Sequence, residues 1–486
     1  MGGVVHRVDV AVIGCGPVGA MLANLLGLQG LRVAVLEREA AIRDLPRAVH
    51  FDAEIMRLLQ TAGLVEAMLP VLDISPGTKF VDPGGRLLLE WPRPAAIGPQ
   101  GWHAGYRFHQ PDLEKVLCDG LSRWPGVTLR RQAEVISVER GADAVELLYK
   151  DLAGGEIQHI NARFAVGCDG AQSLLRHVIG GAMEDLGFEE RWLAADVILR
   201  RPPPDLGADS VRYCDGRRPA ASISGTGDRR RWEIALLPEE DSESMTRPES
   251  VLRLLERWAA PEEIEVERAA VYTFRAAIAS RWRLGKLLIA GDAAHLTPPF
   301  LGQGLCAGLR DVANLAWKLG RVLRGQDGAS LLDTYHSERE PHVREYIEMA
   351  VRIGGLMKTS APEPLLNGGG SARMDLIEPR LGPGLCGGLP EPRGRMAPQP
   401  MADGGIGLDD RIGYRFAAVM RGDVACRLSD DLWAMLRARD VAVVTDSAYG
   451  PWLDGIGAEA VLVRPDRYVF GAAHDANEMR ALVAAL

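Results

Sequence analysis

Short apolar runs separated by polar turns begin the chain and predict alternating strands and helices. Val8 to Ile13 is a β-branched run, Ala20 to Leu28 has the composition of a buried helix, and Leu31 to Leu36 is a second apolar run. A strand, a helix and a strand in this order predict a βαβ unit.

A glycine-rich turn separates the first strand from the helix. Gly14, Gly16 and Gly19 form a GxGxxG pattern, and Glu37 closes the second strand. Glycine permits a tight turn and a close approach of a pyrophosphate to the helix N-terminus, and an acid at this spacing suits a ribose hydroxyl. The unit predicts a dinucleotide site without deciding which dinucleotide binds. A glycine turn that only packs the helix on the strand is the alternative.

A second glycine-containing loop, residues 291 to 304, follows the apolar run 286 to 290 and precedes a helical stretch. Asp292 offers a carboxylate to a sugar hydroxyl, while Gly302 and Gly304 let the backbone approach a flat ring. The N-terminus of the next helix favours negative charge there. An ordinary strand-loop-helix turn is the alternative.

The remaining patterns divide the chain into an α/β arrangement of several parts. Alternating polar and apolar positions predict antiparallel strands in two regions, and a stretch rich in Pro and Gly marks a boundary. We expect a discontinuous nucleotide-binding domain (1–75, 105–180 and 281–360), a second domain with a mixed or antiparallel sheet (76–104 and 181–280), a linker (361–407) and a small C-terminal α/β domain (408–486).

Composition narrows the functional classes. The 486 residues are 47% apolar and carry a net charge of −9, which argues against nucleic acid or an anionic membrane as a partner. No run of eighteen apolar residues and no export signal is visible, and the seven cysteines form no CxxC pair and no metal-ligand spacing. We expect a reduced, cytoplasmic protein without a metal site.

Three motifs together resemble those of single-component FAD-dependent aromatic hydroxylases, the group typified by para-hydroxybenzoate hydroxylase and phenol hydroxylase. They are the GxGxxG turn, the segment VGCDGAQSLLR at 166–176, and the loop that opens with Gly291 and Asp292. Segments 46–52, 108–114 and 464–469 resemble the 3-(3-hydroxyphenyl)propionate hydroxylase subgroup. The resemblance covers essentially the whole chain. It implies a Rossmann-like FAD domain interleaved with a substrate-binding sheet, and a thioredoxin-like C-terminal domain, here without CxxC.

The resemblance also implies a set of FAD-binding residues. Glu37 would bind the adenosine ribose, Arg47 would lie against the phosphates, and Asp169 would shape a groove shared by FAD and NADH or NADPH. The full set is Gly14, Gly16, Gly19, Glu37, Arg38, Arg47, Gln110, Asp169, Gly170, Asp292, Pro299, Gly302, Gly304, Leu305 and Cys306.

The implied reaction is hydroxylation of a phenolic or other electron-rich aromatic substrate by O2, through a flavin C4a-hydroperoxide. A base or hydrogen-bond relay to the substrate oxygen is needed, and the candidates are His50, Tyr213 and Tyr272. His50 is otherwise a helix cap or part of the cofactor wall, and the tyrosines are otherwise core residues. The resemblance also implies a homodimer. The alternatives are an FAD-dependent epoxidase or dehydrogenase of secondary metabolism, or a non-hydroxylating flavin-binding protein.

Basic residues near Tyr213 raise the question of an acidic substrate. Arg212, Arg217 and Arg218 could pair with a carboxylate, but an exposed basic turn is the more common arrangement.

Overall fold

The computed structural model describes residues 6–42, 47–203, 206–359, 377–386, 392–400 and 407–486. Most of the predicted linker, 361–407, therefore lies outside the described residues, as does Pro46 of the 46–52 segment.

The first eight-stranded sheet, here called the nucleotide sheet, is built around His6–Ile13. That strand pairs in parallel with Val33–Leu36 on one side and Ile157–Gly167 on the other. The β-branched, apolar sequence of these strands suits a parallel sheet buried on both faces. The strands are His6–Ile13, Val33–Leu36, Val127–Arg130, Ala133–Arg140, Val145–Asp151, Ile157–Gly167, Arg283–Leu284 and Leu287–Ile289.

A second eight-stranded sheet, here called the substrate sheet, lies beside it. Ser210–Tyr213 pairs in parallel with Gly77–Val81, and the other neighbours are antiparallel, so the sheet is mixed as predicted. In spatial order the strands are His295–Leu296, Ile264–Ala279, Met183–Leu199, Arg229–Ala235, Ala220–Ser224, Ser210–Tyr213, Gly77–Val81 and Leu87–Pro92. The first of these comes from the segment that the sequence assigned to the nucleotide-binding part.

A three-stranded sheet of His50–Asp52, Gly105–Phe108 and Leu72–Ile74 adds to the two large sheets. The α-helices are Pro17–Leu28, Ala53–Thr61, Val65–Met68, Gln110–Gly120, Leu174–Ile179, Ser242–Met245, Pro248–Leu255, Gly304–Leu323, Asp333–Met357, Leu408–Ile412, Gly422–Cys426, Asp430–Ala438, Gly450–Gly455 and Ala476–Ala484. Within the described ranges, no helix has both the length and the apolar character needed to cross a membrane.

The C-terminal part forms a four-stranded mixed sheet of Ala442–Val444, Ala417–Met420, Ala460–Val463 and Val469–Ala473. It packs against the helix Gly304–Leu323, where the rings of Trp317 and Phe416 meet edge to face at 5.4 Å. Arg57 also donates to Asp409 at 2.8 Å, with both side chains fully buried. These contacts join the C-terminal part to the body of the protein.

Candidate functional site

A cavity of about 620 Å³ lies between the loops at the edge of the nucleotide sheet and one face of the substrate sheet. Gly16, Gly170 and Gly304 line it from the loops, while Arg212 and Tyr272 line it from the sheet. This volume is typical of a small-molecule site. The cavity is the candidate active site.

The glycine turn 14–19 places one glycine against the cavity and uses the other two for packing. Gly14 has φ +94°, and a Cβ there would lie 2.5 Å from the Cys168 carbonyl oxygen. A Cβ on Gly19 would lie 2.1 Å from the Gly14 carbonyl oxygen. Gly16 lines the cavity, and no atom of the described chain lies within 4 Å of a Cβ built on it. The open space in front of Gly16 is where a phosphate can approach the helix N-terminus.

Glu37 is held next to this turn by two backbone hydrogen bonds. Its carboxylate accepts from the amides of Cys15 at 2.7 Å and Glu39 at 2.9 Å. Arg38 is exposed and forms an ion pair with Glu39 at 3.3 Å. Four residues of the predicted FAD-binding set in this region lie outside the lining of the cavity: Gly14, Gly19, Glu37 and Arg38.

Arg47, Gln110 and Asp292 meet on the cavity wall. The Gln110 side-chain oxygen accepts from the amides of Arg47 at 2.7 Å and Ala48 at 2.8 Å, which fixes the segment that carries Arg47. The Arg47 guanidinium lies 3.5 Å from Asp292 Oδ2, and both side chains keep large exposed fractions. The pair can therefore contact a phosphate and a sugar hydroxyl at one point.

The turn at Asp169 and Gly170 follows the strand Ile157–Gly167. Asp169 Oδ2 accepts from the amide of Leu175 at 3.3 Å, whereas its buried Oδ1 has no hydrogen-bond partner among the described residues. Gly170 has φ +78° and lines the cavity.

The loop 299–305 forms another part of the wall. Pro299, Gly302, Gly304 and Leu305 line the cavity, and Gly302 ends a short 3-10 turn at φ +65°. The helix Gly304–Leu323 starts here, and no side chain of the described residues caps it. Cys306 is buried outside the lining, with Sγ 3.9 Å from the Gly302 carbonyl oxygen. Burial raises the pKa of its thiol, which therefore stays protonated.

Asp311 ties this helix to the Gly291 turn. It accepts from the Gly291 amide at 3.0 Å, from His295 Nε2 at 2.7 Å and from Arg339 Nε at 3.0 Å. His295 therefore fixes a loop and does not line the cavity.

These features fit FAD on structural grounds. Gly16 and Gly170 face open space in the cavity, and the N-termini of Pro17–Leu28 and Gly304–Leu323 carry no side-chain caps from the described chain. Helix N-termini bind phosphate and stabilise negative charge on a ring edge.

The three predicted candidates for proton transfer are placed differently. His50 lines the cavity, and neither of its ring nitrogens has a hydrogen-bond partner within the described ranges. Tyr272 also lines the cavity, where its hydroxyl accepts from Arg268 and its ring stacks on Phe274 at 6.0 Å. Tyr213 is outside the lining and packs its ring 5.0 Å from Trp258.

Burial lowers the pKa of His50 well below its usual value. The positive charges of Arg93 and Arg212 lower it further, and the charge of Asp52 only partly opposes them. His50 is therefore neutral at physiological pH.

The sequence did not indicate Arg93 and Glu233 as site residues, yet both line the cavity. Arg212 also lines it and is only 6% exposed, so the preference for an exposed basic turn is wrong for this residue. Arg217 is exposed and Arg218 pairs with Glu240. For Arg212, the alternation of faces along a strand could have indicated a position at the cavity, because Ser210 and Arg212 share one face of their strand while Tyr213 lies on the other.

Comparison with known proteins places the chain in a family. The family described as "FAD binding domain" matches residues 7–350. A probable NADH-specific resorcinol 4-hydroxylase of Rhodococcus jostii (strain RHA1) is 37% identical, and the match covers 98% of this chain and 94% of that protein. A 3-(3-hydroxy-phenyl)propionate/3-hydroxycinnamic acid hydroxylase of Burkholderia cenocepacia (strain HI2424) is 35% identical, with 99% and 96% covered.

The chain belongs to the FAD-dependent aromatic hydroxylases. The predicted family, the FAD cofactor, the nicotinamide co-substrate and the aromatic monooxygenase activity are thereby confirmed.

Two solved structures show the same fold over the whole chain. The flavin-dependent monooxygenase PieE, in complex with FAD and substrate, has a TM-score of 0.84 at 20% identity, with 99% of this chain and 98% of that one covered. Aklavinone-11 hydroxylase, with FAD and aklavinone, has a TM-score of 0.80 at 24% identity, with 100% and 99% covered. This confirms the predicted fold class.

Proposed function

We propose that the protein hydroxylates a small phenolic substrate, using O2 and NADH. The observation that carries the proposal is one cavity with glycine-lined loops on one side and polar, partly unpartnered side chains of the substrate sheet on the other. The relatives named for resorcinol and for 3-(3-hydroxyphenyl)propionate support a phenol, and the NADH-specific relative supports NADH.

When bound, FAD supplies acceptance of a hydride and transfer of oxygen to the ring of the substrate. The protein supplies binding and orientation. We assign the pyrophosphate to the amides after Gly16, the adenosine ribose to Glu37, and a phosphate and a sugar hydroxyl to Arg47 and Asp292. Gln110 positions Arg47, and Gly302, Gly304 and Leu305 would hold the flat ring.

His50 is the residue we assign to the substrate hydroxyl. A neutral imidazole offers one donor and one acceptor nitrogen, and neither His50 nitrogen is engaged by another described residue. His50 also adjoins the ring-binding loop, because a Cβ on Gly302 would lie 3.5 Å from His50 Nδ1. The acceptor nitrogen of His50 accepts a hydrogen bond from the substrate hydroxyl and so orients that hydroxyl. Polarisation of its O–H bond makes the aromatic ring more electron-rich. Tyr272 forms part of the wall, and Tyr213 has no role in this assignment.

NADH consumption with product analysis tests this function. The FAD-loaded protein should oxidise NADH slowly alone and faster with resorcinol or 3-(3-hydroxyphenyl)propionate, and the product should carry one additional hydroxyl group. His50→Gln should lower kcat/KM by about 10²- to 10⁴-fold, the usual contribution of a proton-transfer group. His159→Gln, at an exposed strand position, is the matched control. Equal kcat/KM values for His50→Gln and His159→Gln would show that His50 does not act on the substrate hydroxyl.

The alternative activities are not favoured, since the relatives that cover nearly the whole chain are named hydroxylases. A cytoplasmic location and a homodimer also belong to the proposal. Light scattering of the purified protein tests the dimer.

A further inference from the structure

Two cysteines lie close together at the glycine turn 14–19, outside the lining of the cavity. The sulfur atoms of Cys15 and Cys118 are 3.7 Å apart, although 103 positions separate the two residues in the chain. Cys15 is only 4% exposed, and Cys118 is half-buried. The proposed hydroxylation uses neither thiol.

The backbone on both sides of this pair is fixed by contacts that do not involve sulfur. The Cys15 amide donates to the Glu37 carboxylate at 2.7 Å. Asn24, on the helix that follows the turn, donates to the Leu117 carbonyl oxygen at 2.8 Å, next to Cys118. A disulfide bond is about 2.05 Å long, so the two sulfurs need to approach by about 1.7 Å. Rotation of the side chains and a small shift of the turn can supply this approach.

Cys118 is the thiol of the pair that a small oxidant reaches first. Arg131 Nη2 donates to Cys118 Sγ at 3.6 Å. The hydrogen bond with Cys15 and the charge of Arg131 lower the pKa of Cys118, against burial and the charges of Glu114 and Asp119. The same hydrogen bond and burial raise the pKa of Cys15, which therefore stays protonated. A partly exposed thiolate beside a second thiol is the arrangement found in cysteines that react with peroxide.

We propose that Cys15 and Cys118 form a disulfide when hydrogen peroxide oxidises the protein, and that this bond weakens FAD binding. The Cys118 thiolate attacks one oxygen of the peroxide, the O–O bond breaks, hydroxide leaves, and Cys118 becomes a sulfenic acid. The Cys15 sulfur then attacks the Cys118 sulfur, the S–O bond breaks, and the oxygen leaves as water with the Cys15 proton. In total, two thiols lose two electrons and two protons, and the peroxide is reduced to two molecules of water.

The oxidant is a by-product of the protein's own class of reaction. O2 that is reduced without transfer of oxygen to the aromatic ring leaves as hydrogen peroxide. The disulfide would therefore form when NADH is consumed without hydroxylation of a substrate.

The effect on FAD rests on the assignment of the cofactor under the proposed function. Cys15 immediately precedes Gly16, where the pyrophosphate is assigned. Cys118 lies on the helix Gln110–Gly120, whose first residue holds the amide of Arg47 at 2.7 Å. A bond that draws these two elements together displaces the amides after Gly16 from the phosphate. Loss of one hydrogen bond to a charged group corresponds to an FAD affinity about 10- to 100-fold weaker.

Peptide mass spectrometry after peroxide treatment tests the disulfide. The full chain, with and without FAD, is treated with hydrogen peroxide, and the remaining thiols are alkylated before proteolysis. In at least one of the two forms, the wild-type protein should yield two peptides joined between Cys15 and Cys118, which dithiothreitol separates. Cys426, exposed in the helix Gly422–Cys426, is the control position and should still be alkylated at the peroxide concentration that joins the pair.

Quenching of flavin fluorescence then measures the effect on FAD. The FAD-free wild-type protein should bind FAD about 10- to 100-fold more weakly after oxidation and should recover with dithiothreitol. Cys118→Ser cannot form the bond and should bind FAD equally well before and after peroxide. Cys426→Ser is the matched control and should respond like the wild type. The melting temperature checks folding, and Cys118→Ala serves if Cys118→Ser does not fold.

The inference is overturned if neither form of the wild-type protein joins Cys15 to Cys118, or if the joined protein binds FAD as tightly as the reduced one. Oxidation of Cys118 to a sulfinic acid without a bond to Cys15 would overturn it as well. These results would leave the hydroxylase proposal intact, because they do not concern turnover of the untreated protein. An absence of turnover in the untreated wild type, with the disulfide formed by added peroxide, would instead count against the hydroxylase proposal alone.

Discussion

Gly14 and Gly16 lie in the same turn but meet different surroundings. An added side chain should therefore destabilise the fold at Gly14 and weaken FAD binding at Gly16. Gly16 has φ −68° and ψ −177°, which any residue adopts, and a Cβ there meets no described atom within 4 Å. Gly14 has φ +94°, and its Cβ would lie 2.5 Å from the Cys168 carbonyl oxygen.

The free energies follow from this geometry. Gly16→Val should change the stability of the FAD-free protein by less than about 1 kcal/mol, because the entropy that glycine loses on folding is offset by the weaker preference of valine for the N-cap position that Gly16 occupies. The same side chain intrudes on a bound pyrophosphate, and overpacking of about 1–3 kcal/mol corresponds to an FAD affinity about 5- to 150-fold weaker. Gly14→Ala should destabilise the FAD-free protein by about 1–2 kcal/mol from the left-handed backbone alone, with the steric contact adding to this.

Two measurements separate the effects. Urea unfolding of the FAD-free proteins gives stability, and quenching of flavin fluorescence gives the FAD dissociation constant. Wild-type FAD affinity in Gly16→Val would show that no phosphate lies against Gly16, and easier unfolding of Gly16→Val than of Gly14→Ala would show that Gly14 is not the more constrained position.

Three further predictions concern buried titratable groups. Asp409 is buried and pairs with Arg57 at 2.8 Å and with Arg467 at 2.9 Å. In urea titrations, Asp409→Asn should therefore lower the free energy of unfolding by about 3–5 kcal/mol, whereas the exposed control Asp410→Asn should lower it by about 0–1 kcal/mol. Equal losses in the two variants would show that the buried ion pairs do not stabilise the fold. Burial opposes ionisation of Glu338, yet Arg464 and Lys318 hold its pKa well below the usual 4.5. Stability from Glu338 is therefore present above about pH 4.5 and is lost as the pH falls further, so the acid slope of unfolding should flatten in Glu338→Gln but persist in exposed Glu345→Gln. The pKa of His50 lies well below 6.5, so His50 should not titrate between about pH 6 and 8. The pH profile of kcat/KM should therefore have the same shape in His50→Gln as in the wild type over this range. A step near pH 6.5 in the wild-type profile that disappears in His50→Gln would show that His50 titrates there.

Local patterns indicated part of the loop side of the site. A strand, a turn and a helix adjacent in sequence were enough to indicate a nucleotide loop at Gly16 and a loop at Gly302 and Gly304 that can approach a flat ring. The resemblance to the aromatic hydroxylases, and not a local pattern, brought Gly170 together with them, and all four glycines line one cavity.

The substrate side depended on information that is not local. Arg212 and Tyr213 are neighbours on one strand, so only one of them can face the cavity. That choice is set by how Ser210–Tyr213 pairs with Gly77–Val81 and Ala220–Ser224, and sequence alone gives no register for a parallel pairing across more than a hundred residues. Arg93 joins Arg212 only through the same long-range packing.

The C-terminal part makes contacts with the body of the protein that its sequence did not reveal. Trp317 donates to Asp466 at 3.2 Å, and the Tyr414 hydroxyl donates to the Ala313 carbonyl oxygen at 2.7 Å. Both contacts fall on the helix Gly304–Leu323, whose first turn lines the cavity. The C-terminal part therefore supports the helix that forms part of the cavity wall.

Turnover in isotope-labelled O2 shows whether the protein transfers an oxygen atom to the ring of its substrate. The FAD-loaded protein, NADH and 3-(3-hydroxyphenyl)propionate or resorcinol are mixed under labelled gas, and the product is weighed by mass spectrometry. We expect one labelled oxygen atom in a newly hydroxylated ring for each NADH consumed. Consumption of NADH with hydrogen peroxide as the sole oxygen product, for every phenol tested, would contradict a hydroxylase activity.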